Sequence, residues 1–139
     1  MESYPAWTAS SRSFPGNALP SAARWWDHDG EAFPPNEYVI DGTSGKIVAT
    51  ITNVGGVDEV WYNPGDNRYY LAARDMPNGA VMDVIYAKTN TWLVDVTTNS
   101  NSHSIAVDSG NNHMFVPLQA DTICTTQSAN GCVGVYAQQ

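Results

Sequence analysis

The stretch VIDGTSGKIVATI at residues 39–51 places two short β-prone runs around a glycine-containing turn. The stretch EVWYNPGDNRYYLAA at residues 59–73 has the same form, with NPGDN as its turn. In that turn Pro64 presets the backbone and Gly65 relieves strain. Short runs rich in Val, Ile, Tyr and Trp that flank turns of this kind predict β-hairpins. The two stretches therefore predict successive antiparallel hairpins.

Both hairpins recur at one displacement along the chain. The segment VIDGTSGKI at residues 39–47 recurs as VIYAKTNTW at residues 84–92, which is 45 residues later. The segment that begins at Asp58 recurs from His103 at the same displacement. Two independent hairpins with one offset are stronger support for a repeat than either match alone. Periods of this length, with four strands in each unit, are typical of β-propeller blades.

The pattern predicts nine strands and no helix between them, which indicates an all-β antiparallel fold. A third echo of the repeat, GVYA at residues 134–137, follows VIYA at residues 84–87 at an offset of 50. The predicted strands cover residues 38–41, 46–51, 59–62, 68–73, 81–86, 91–96, 104–107, 113–118 and 132–137.

Residues 37–138 resemble the YVTN repeat of YncE-like β-propellers, in which a VID-turn-VVATI hairpin leads into a VAV-turn-VYV hairpin. The resemblance implies four-stranded blades and supplies two full blades and part of a third. A closed ring takes about four to eight blades. An incomplete stack exposes apolar faces and strand edges. We therefore expect either self-association through these blade surfaces or, as the favoured alternative, a larger protein of which this chain is a fragment.

Residues 1–36 do not continue the repeat. They contain five prolines and the pair Trp25-Trp26, without a sustained period of two or of 3.6. We predict an irregular N-terminal segment with one short helical turn around residues 22–26, followed by a partial propeller over residues 37–139.

Charge and cysteine content limit the class of partner and the compartment. Fourteen acids against six Lys and Arg give a formal net charge of -8, which disfavours nucleic acid. No apolar run is long enough to span a bilayer. Cys124 and Cys132 lack neighbouring zinc ligands, so a disulfide loop is the favoured interpretation over a metal site. These features predict a periplasmic or secreted protein, although no signal peptide is recognisable in the chain.

Two equivalent strand starts carry the residues that a functional site would use. Asp58 and His103 precede the innermost strands of successive repeats, with Glu59 and Ser104 beside them. In lactonase-like propellers, side chains at this place hold a divalent metal such as calcium. The alternative is that these side chains bond strand-end backbone or neighbouring blades, and it is favoured because a metal site needs more ligands than two.

Two function hypotheses follow. The first is a non-catalytic binding or scaffold propeller of an exported protein, with a protein or small molecule as its ligand. The second is a metal-dependent, lactonase-like hydrolase whose site is completed by further blades. Catalytic activity stays open, and the first hypothesis is favoured because the chain has no Gly-x-Ser-x-Gly elbow and no Cys beside a plausible His partner. The turns around Asp108 and Asn63 gather oxygen ligands but lack the spacing of an EF-hand.

Overall fold

The structure is a computed structural model, and it describes residues 4–5, 18–21, 36–100, 102–120, 124 and 130–138. The predicted helical turn around residues 22–26 lies outside the described residues. Within them the fold is all-β with antiparallel sheets and without a helix. None of the described segments is a helix that could span a membrane.

All nine predicted strands are present, with ends that differ from the prediction by at most two residues. Two further short strands lie in the N-terminal segment. In chain order the strands are β1 (Tyr4–Pro5), β2 (Ala18–Ser21), β3 (Glu37–Asp41), β4 (Ile47–Ile51), β5 (Val57–Asn63), β6 (Arg68–Ala73), β7 (Val81–Tyr86), β8 (Thr91–Thr97), β9 (Ala106–Asp108), β10 (His113–Leu118) and β11 (Cys132–Ala137).

The strands form three antiparallel sheets that follow one another along the chain. Sheet 1 has the order β2-β3-β4, sheet 2 has the order β1-β5-β6-β7-β8, and sheet 3 has the order β11-β10-β9. Strands β5 to β8 form a four-stranded meander, and β1 pairs with the free edge of β5. Sheets 1 and 3 each contain three strands of the same meander in the residues described.

The strand register confirms the 45-residue repeat. Val39 lies opposite Ala49, and 45 residues later Val84 lies opposite Val94. Each pair is followed by a register shift, after Val39 in β3 and after Val84 in β7. A bulge at the same place in both hairpins means that the repeat extends to local backbone irregularities.

The second hairpin repeats in the same way, because Asn63 lies opposite Arg68 and Asp108 lies opposite His113. The turn residues agree as well. The backbone is left-handed at Asn67, with φ of 59°, and at Asn112, with φ of 56°. Asparagine adopts this conformation more readily than other residues with a Cβ. The sequence of each turn therefore fits the backbone that the repeat requires.

The predicted offset of 50 for the last strand is wrong by one residue. Tyr70 lies opposite Val84, and its equivalent Phe115 lies opposite Val135, so the true displacement between β7 and β11 is 51 residues. The offset of 50 was based on the shared letters of GVYA and VIYA, which do not occupy equivalent positions in the structure. Since side chains alternate between the faces of a strand, a shift of one residue reverses which side chains point into the core.

Two buried clusters join the three sheets face to face. On β6, Tyr69, Leu71 and Ala73 belong to the cluster between sheets 1 and 2, whereas Tyr70 and Ala72 belong to the cluster between sheets 2 and 3. This alternation is the period of two expected of a strand that is buried on both faces. We call these clusters the first interface and the second interface.

Candidate functional site

Asp58, the first of the predicted ligands, is held by an arginine of its own sheet. Its Oδ2 lies 3.0 Å from Nε of Arg74, which also reaches Oδ2 of Asp75 at 3.3 Å. Asp58 sits at a register shift between Val57 and Glu59, so it lies inside β5 instead of just before it. The ion pair joins the start of β5 to the residue that follows β6, at one end of this pair of strands.

Glu59 connects sheet 2 to sheet 3. Its Oε2 accepts a hydrogen bond from the backbone N–H of Ile105 at 3.1 Å, and its Oε1 accepts one from the indole N–H of Trp61 at 2.9 Å. Hydrogen bonds to a charged acceptor are stronger than those between neutral groups. Glu59 therefore acts as a bridge between strand starts in successive sheets, in line with the structural alternative considered above.

His103 and Ser104 lie in the segment before β9. His103 is exposed, and its Nδ1 lies 3.4 Å from the hydroxyl oxygen of Ser104. Across the part of the chain that the structure describes, no three side chains of the His, Cys, Asp or Glu type come close enough to hold a metal ion. The structure thus separates the four predicted residues into Asp58 and Glu59, which make structural contacts, and the exposed His103 with its half-buried neighbour Ser104.

The turns with many oxygen atoms use those atoms on their own backbone. Oδ1 of Asn63 accepts from the N–H of Gly65 at 2.9 Å, and Oδ1 of Asp108 accepts from the N–H of Gly110 at 2.9 Å. Asn63 also donates from Nδ2 to Oδ1 of Asn112 at 2.9 Å, across the second interface. These oxygens serve as turn and interface acceptors, which is the structural role expected of such residues.

A pair of buried acids, which was not predicted from the sequence, lies in the first interface. Glu37 on β3 is 3% exposed and Asp83 on β7 is 0% exposed. Glu37 shares a face of β3 with Val39, and Asp83 shares a face of β7 with Ile85; both Val39 and Ile85 belong to the first interface. The two carboxyl groups therefore point into the same interface from opposite sheets.

Burial dominates the chemistry of this acidic pair. It raises the pKa of Glu37 to about 8. It also raises the pKa of Asp83 to about 9, with further upward contributions from Asp95 and from the charge of Glu37. Oε2 of Glu37 and both carboxyl oxygens of Asp83 receive no hydrogen bond. Both groups are thus mainly protonated at pH 7, because an uncompensated buried carboxylate is costly.

Asp95 and Trp92 link the acidic pair to the outer strand of sheet 2. Asp83 lies opposite Asp95 across β7 and β8, and the neighbouring Asp95 carboxyl contributes to the raised pKa of Asp83. The indole N–H of Trp92 donates to Oδ1 of Asp95 at 2.8 Å. An acid inside the apolar run Val81-Met-Asp-Val-Ile85 was the available sequence signal, since residues of a strand buried on both faces are rarely charged.

The cysteine pair lies at disulfide distance, as the sequence predicts. The sulfur atoms of Cys124 and Cys132 are 2.17 Å apart, and their Cα atoms are 5.7 Å apart. The bond ties Cys124, which is buried in the second interface, to the first residue of β11. It therefore restrains the outermost described strand of sheet 3.

The comparisons with known proteins give no relative from which a role could be transferred: no family model, no curated protein and no solved structure matches this chain.

Proposed function

We propose that this chain supplies three consecutive blades of a β-propeller and acts as a non-catalytic binding or scaffold module of an exported protein. The observation that carries the proposal is the repeat of strand register, bulges and left-handed turn residues at one displacement. Successive sheets with a common register and face-to-face packing are what blades require. The YVTN-like sequence of residues 39–51 and 84–96 supports the same fold.

The strand starts favour binding over catalysis. Asp58 pairs with Arg74, and Glu59 bonds to the backbone of Ile105. A catalytic metal centre at this place would need carboxylates that are directed at one ion, together with further ligands. The exposed His103 and the half-buried Ser104 instead supply polar groups just before β9, which suits recognition of a polar group on a protein or small molecule.

The disulfide supports an exported location. Disulfides persist in oxidising compartments such as the periplasm and the extracellular space. The acidic surface, with a formal net charge of -8, is consistent with a partner other than nucleic acid. We propose that the protein works outside the cytoplasm.

A comparison of hydrolysis and metal binding separates this proposal from the lactonase-like alternative. Wild type, His103→Ala and the matched control His113→Ala are assayed on lactones and aryl esters with calcium, manganese or zinc, and metal binding is measured by calorimetry. We expect no turnover above the uncatalysed rate and no metal affinity that depends on His103. Hydrolysis that is lost in His103→Ala and retained in His113→Ala would establish the enzyme instead.

The binding role is tested with the chain immobilised as bait in a periplasmic or secreted extract. The partner retained by wild type is expected to be lost with His103→Glu and kept with His113→Glu, because only the first change adds a charge to the accessible strand start. If no candidate partner or ligand binds the wild-type chain, the binding proposal fails.

A further inference from the structure

Sheet 3 presents an apolar face that no described residue covers. Val133 and Val135 on β11 are 61% and 59% exposed, and they lie opposite Pro117 and Phe115 of β10. The other face of β10, with Met114, Val116 and Leu118, is buried in the second interface. Paired valines at this exposure, with an aromatic ring and a proline beside them, form a continuous apolar surface of the kind that marks an interaction site.

This free face is equivalent to a surface that is already buried elsewhere in the chain. We call the face of each sheet that points to the next sheet its following face. On sheet 2 the following face includes Tyr70, Met82 and Val84, and sheet 3 covers it. The register makes Phe115 equivalent to Tyr70, and Val135 equivalent to Val84. The exposed surface of sheet 3 is thus its following face, which no described residue covers.

Sheet 1 presents the complementary surface. The opposite face of each sheet, which points to the preceding sheet, is its preceding face. On sheet 2 this face includes Ile85 and Trp92, which pack into the first interface. Their equivalents on sheet 1 are Ile40 and Ile47, and Ile47 is 57% exposed. The chain therefore carries both halves of its own repeating interface, one at each end of the stack.

We propose that the following face of sheet 3 packs against the preceding face of sheet 1 in a second copy of this chain. The inference rests on the proposed stack of blades. Inside the chain, the following face of sheet 2 is covered by the preceding face of sheet 3. The preceding face of sheet 1 has the same register and apolar character, so a second copy of the chain supplies a surface that fits the following face of sheet 3. Such a contact joins two different surfaces. Contacts of this type form a ring when the rotation that relates one copy to the next closes after a whole number of copies.

The residues at the centre of the proposed contact are compatible with burial. In the first interface Glu37 meets Asp83, and both are buried acids. At the corresponding places the contact between copies has Val133 from sheet 3 and Tyr38 from sheet 1. Burial of a valine and a tyrosine avoids the desolvation cost of the acids. The acidic pair is thus confined to the interface within the chain.

The test is the mass of the oxidised, full chain by light scattering over a wide range of protein concentration. We expect a discrete oligomer for wild type. Val135→Asp, on the following face, and Ile47→Asp, on the preceding face, each weaken association by about tenfold or more, because a carboxylate would be buried without a partner. Val94→Asp is the matched control: Val94 is a 46% exposed valine on the edge strand β8 of sheet 2, outside both proposed contact surfaces, and its variant keeps the wild-type mass.

A mixture of the two variants tests the direction of the contact. The Val135→Asp variant keeps an intact preceding face on sheet 1, and the Ile47→Asp variant keeps an intact following face on sheet 3. In an equimolar mixture these two faces can form one contact, so we expect the mass of a dimer. A wild-type monomer at every concentration overturns the proposal. Association that Val94→Asp disrupts equally, or that Ile47→Asp leaves unchanged, overturns it as well.

Circular dichroism and the thermal transition of each variant establish that the change in mass is not caused by unfolding. If the two face variants do not fold, Val135→Thr and Ile47→Thr replace them, with a smaller loss of association expected. The outcome is distinguishable from failure of the proposed function: a chain that stays monomeric and still binds its partner through His103 overturns this inference alone.

Discussion

The two interfaces of this molecule are formed by equivalent strands of one repeat, but they carry different side chains at one equivalent pair of positions. In the first interface that place holds Glu37 and Asp83. The register makes Met82 the equivalent of Glu37 and Gly134 the equivalent of Asp83, so the second interface has a thioether and a glycine there. The repeat therefore specifies backbone register and apolar packing, and it leaves the chemistry of individual positions free.

The second interface places its polar contacts at its margins. Asn63 donates to Asn112 between two turns, and Glu59 accepts from Ile105 between two strand starts. These polar groups are paired, whereas oxygens of Glu37 and Asp83 in the first interface receive no hydrogen bond. Unpaired buried polar groups cost stability, whereas paired ones do not. We therefore expect removal of an acid to stabilise the first interface and to destabilise the second interface.

The largest effect is expected when an acid is placed in the second interface. Met82→Glu introduces a carboxyl at the position equivalent to Glu37, in a cluster of apolar side chains. We expect the free energy of unfolding to fall by about 3–5 kcal/mol at neutral pH. Urea unfolding followed by fluorescence measures it. The control Val94→Glu, on an exposed edge strand, is expected to change stability by less than about 0.5 kcal/mol.

The reverse substitution is expected to stabilise the first interface. Glu37→Met supplies the residue that the second interface has, and should raise the free energy of unfolding by about 1–4 kcal/mol. Because the pKa of Glu37 is raised by folding to about 8, its contribution is fully present below the unfolded pKa and is lost as pH rises through about 8. The gain should therefore be larger at about pH 8 than at about pH 5. A gain that is independent of pH would contradict the buried acid.

A pair of equivalent glycines distinguishes a covered turn from a free one. A Cβ on Gly65 would lie 2.3 Å from Oδ1 of Asn112 and 2.5 Å from the carbonyl oxygen of Ser109, across the second interface. Among the described residues, a Cβ on Gly110, 45 residues later, would meet only Oδ1 of Asp108, at 3.2 Å. Gly65→Ala is expected to cost about 1–3 kcal/mol, and Gly110→Ala less than about 0.5 kcal/mol. Equal effects in thermal unfolding would show that sheet 3 does not cover the turn of sheet 2.

The smallest effect is expected at the bridge between strand starts. Glu59→Gln keeps one acceptor oxygen but leaves either the N–H of Ile105 or that of Trp61 without its partner, and should cost about 1 kcal/mol. Asp75→Asn, in an exposed ion pair, is a control expected to cost less than about 0.5 kcal/mol. If Glu59→Gln leaves stability unchanged in urea unfolding, the bridge contributes nothing to the second interface.

The strands and their pairing were predictable because their signals are local. Alternating β-prone residues and turn residues such as Asn67 and Asn112 determine each hairpin within a few residues of chain. The 45-residue displacement then aligned hairpins that are distant in sequence. The last strand was misaligned by one residue because four similar letters were the basis of the comparison, whereas the actual register is set by which side chains enter the second interface.

The roles of individual polar residues were less predictable because they depend on contacts between sheets. The ion pair of Asp58 with Arg74 and the bond from Glu59 to Ile105 join groups that only the folded arrangement brings together. The acidic pair was missed for the same reason. Glu37 and Asp83 are 46 residues apart, and nothing in the sequence near either residue shows that they face each other.

The turns of sheets 2 and 3 come into contact only if the equivalent sheets stack face to face. The measurement is a nuclear Overhauser spectrum of the isotopically labelled chain, with the side-chain amide protons of Asn63 as the probe. We predict cross-peaks from these protons to Asn112, since Nδ2 of Asn63 lies 2.9 Å from Oδ1 of Asn112. Cross-peaks within each sheet, together with none between these two turns, would contradict the stacked arrangement.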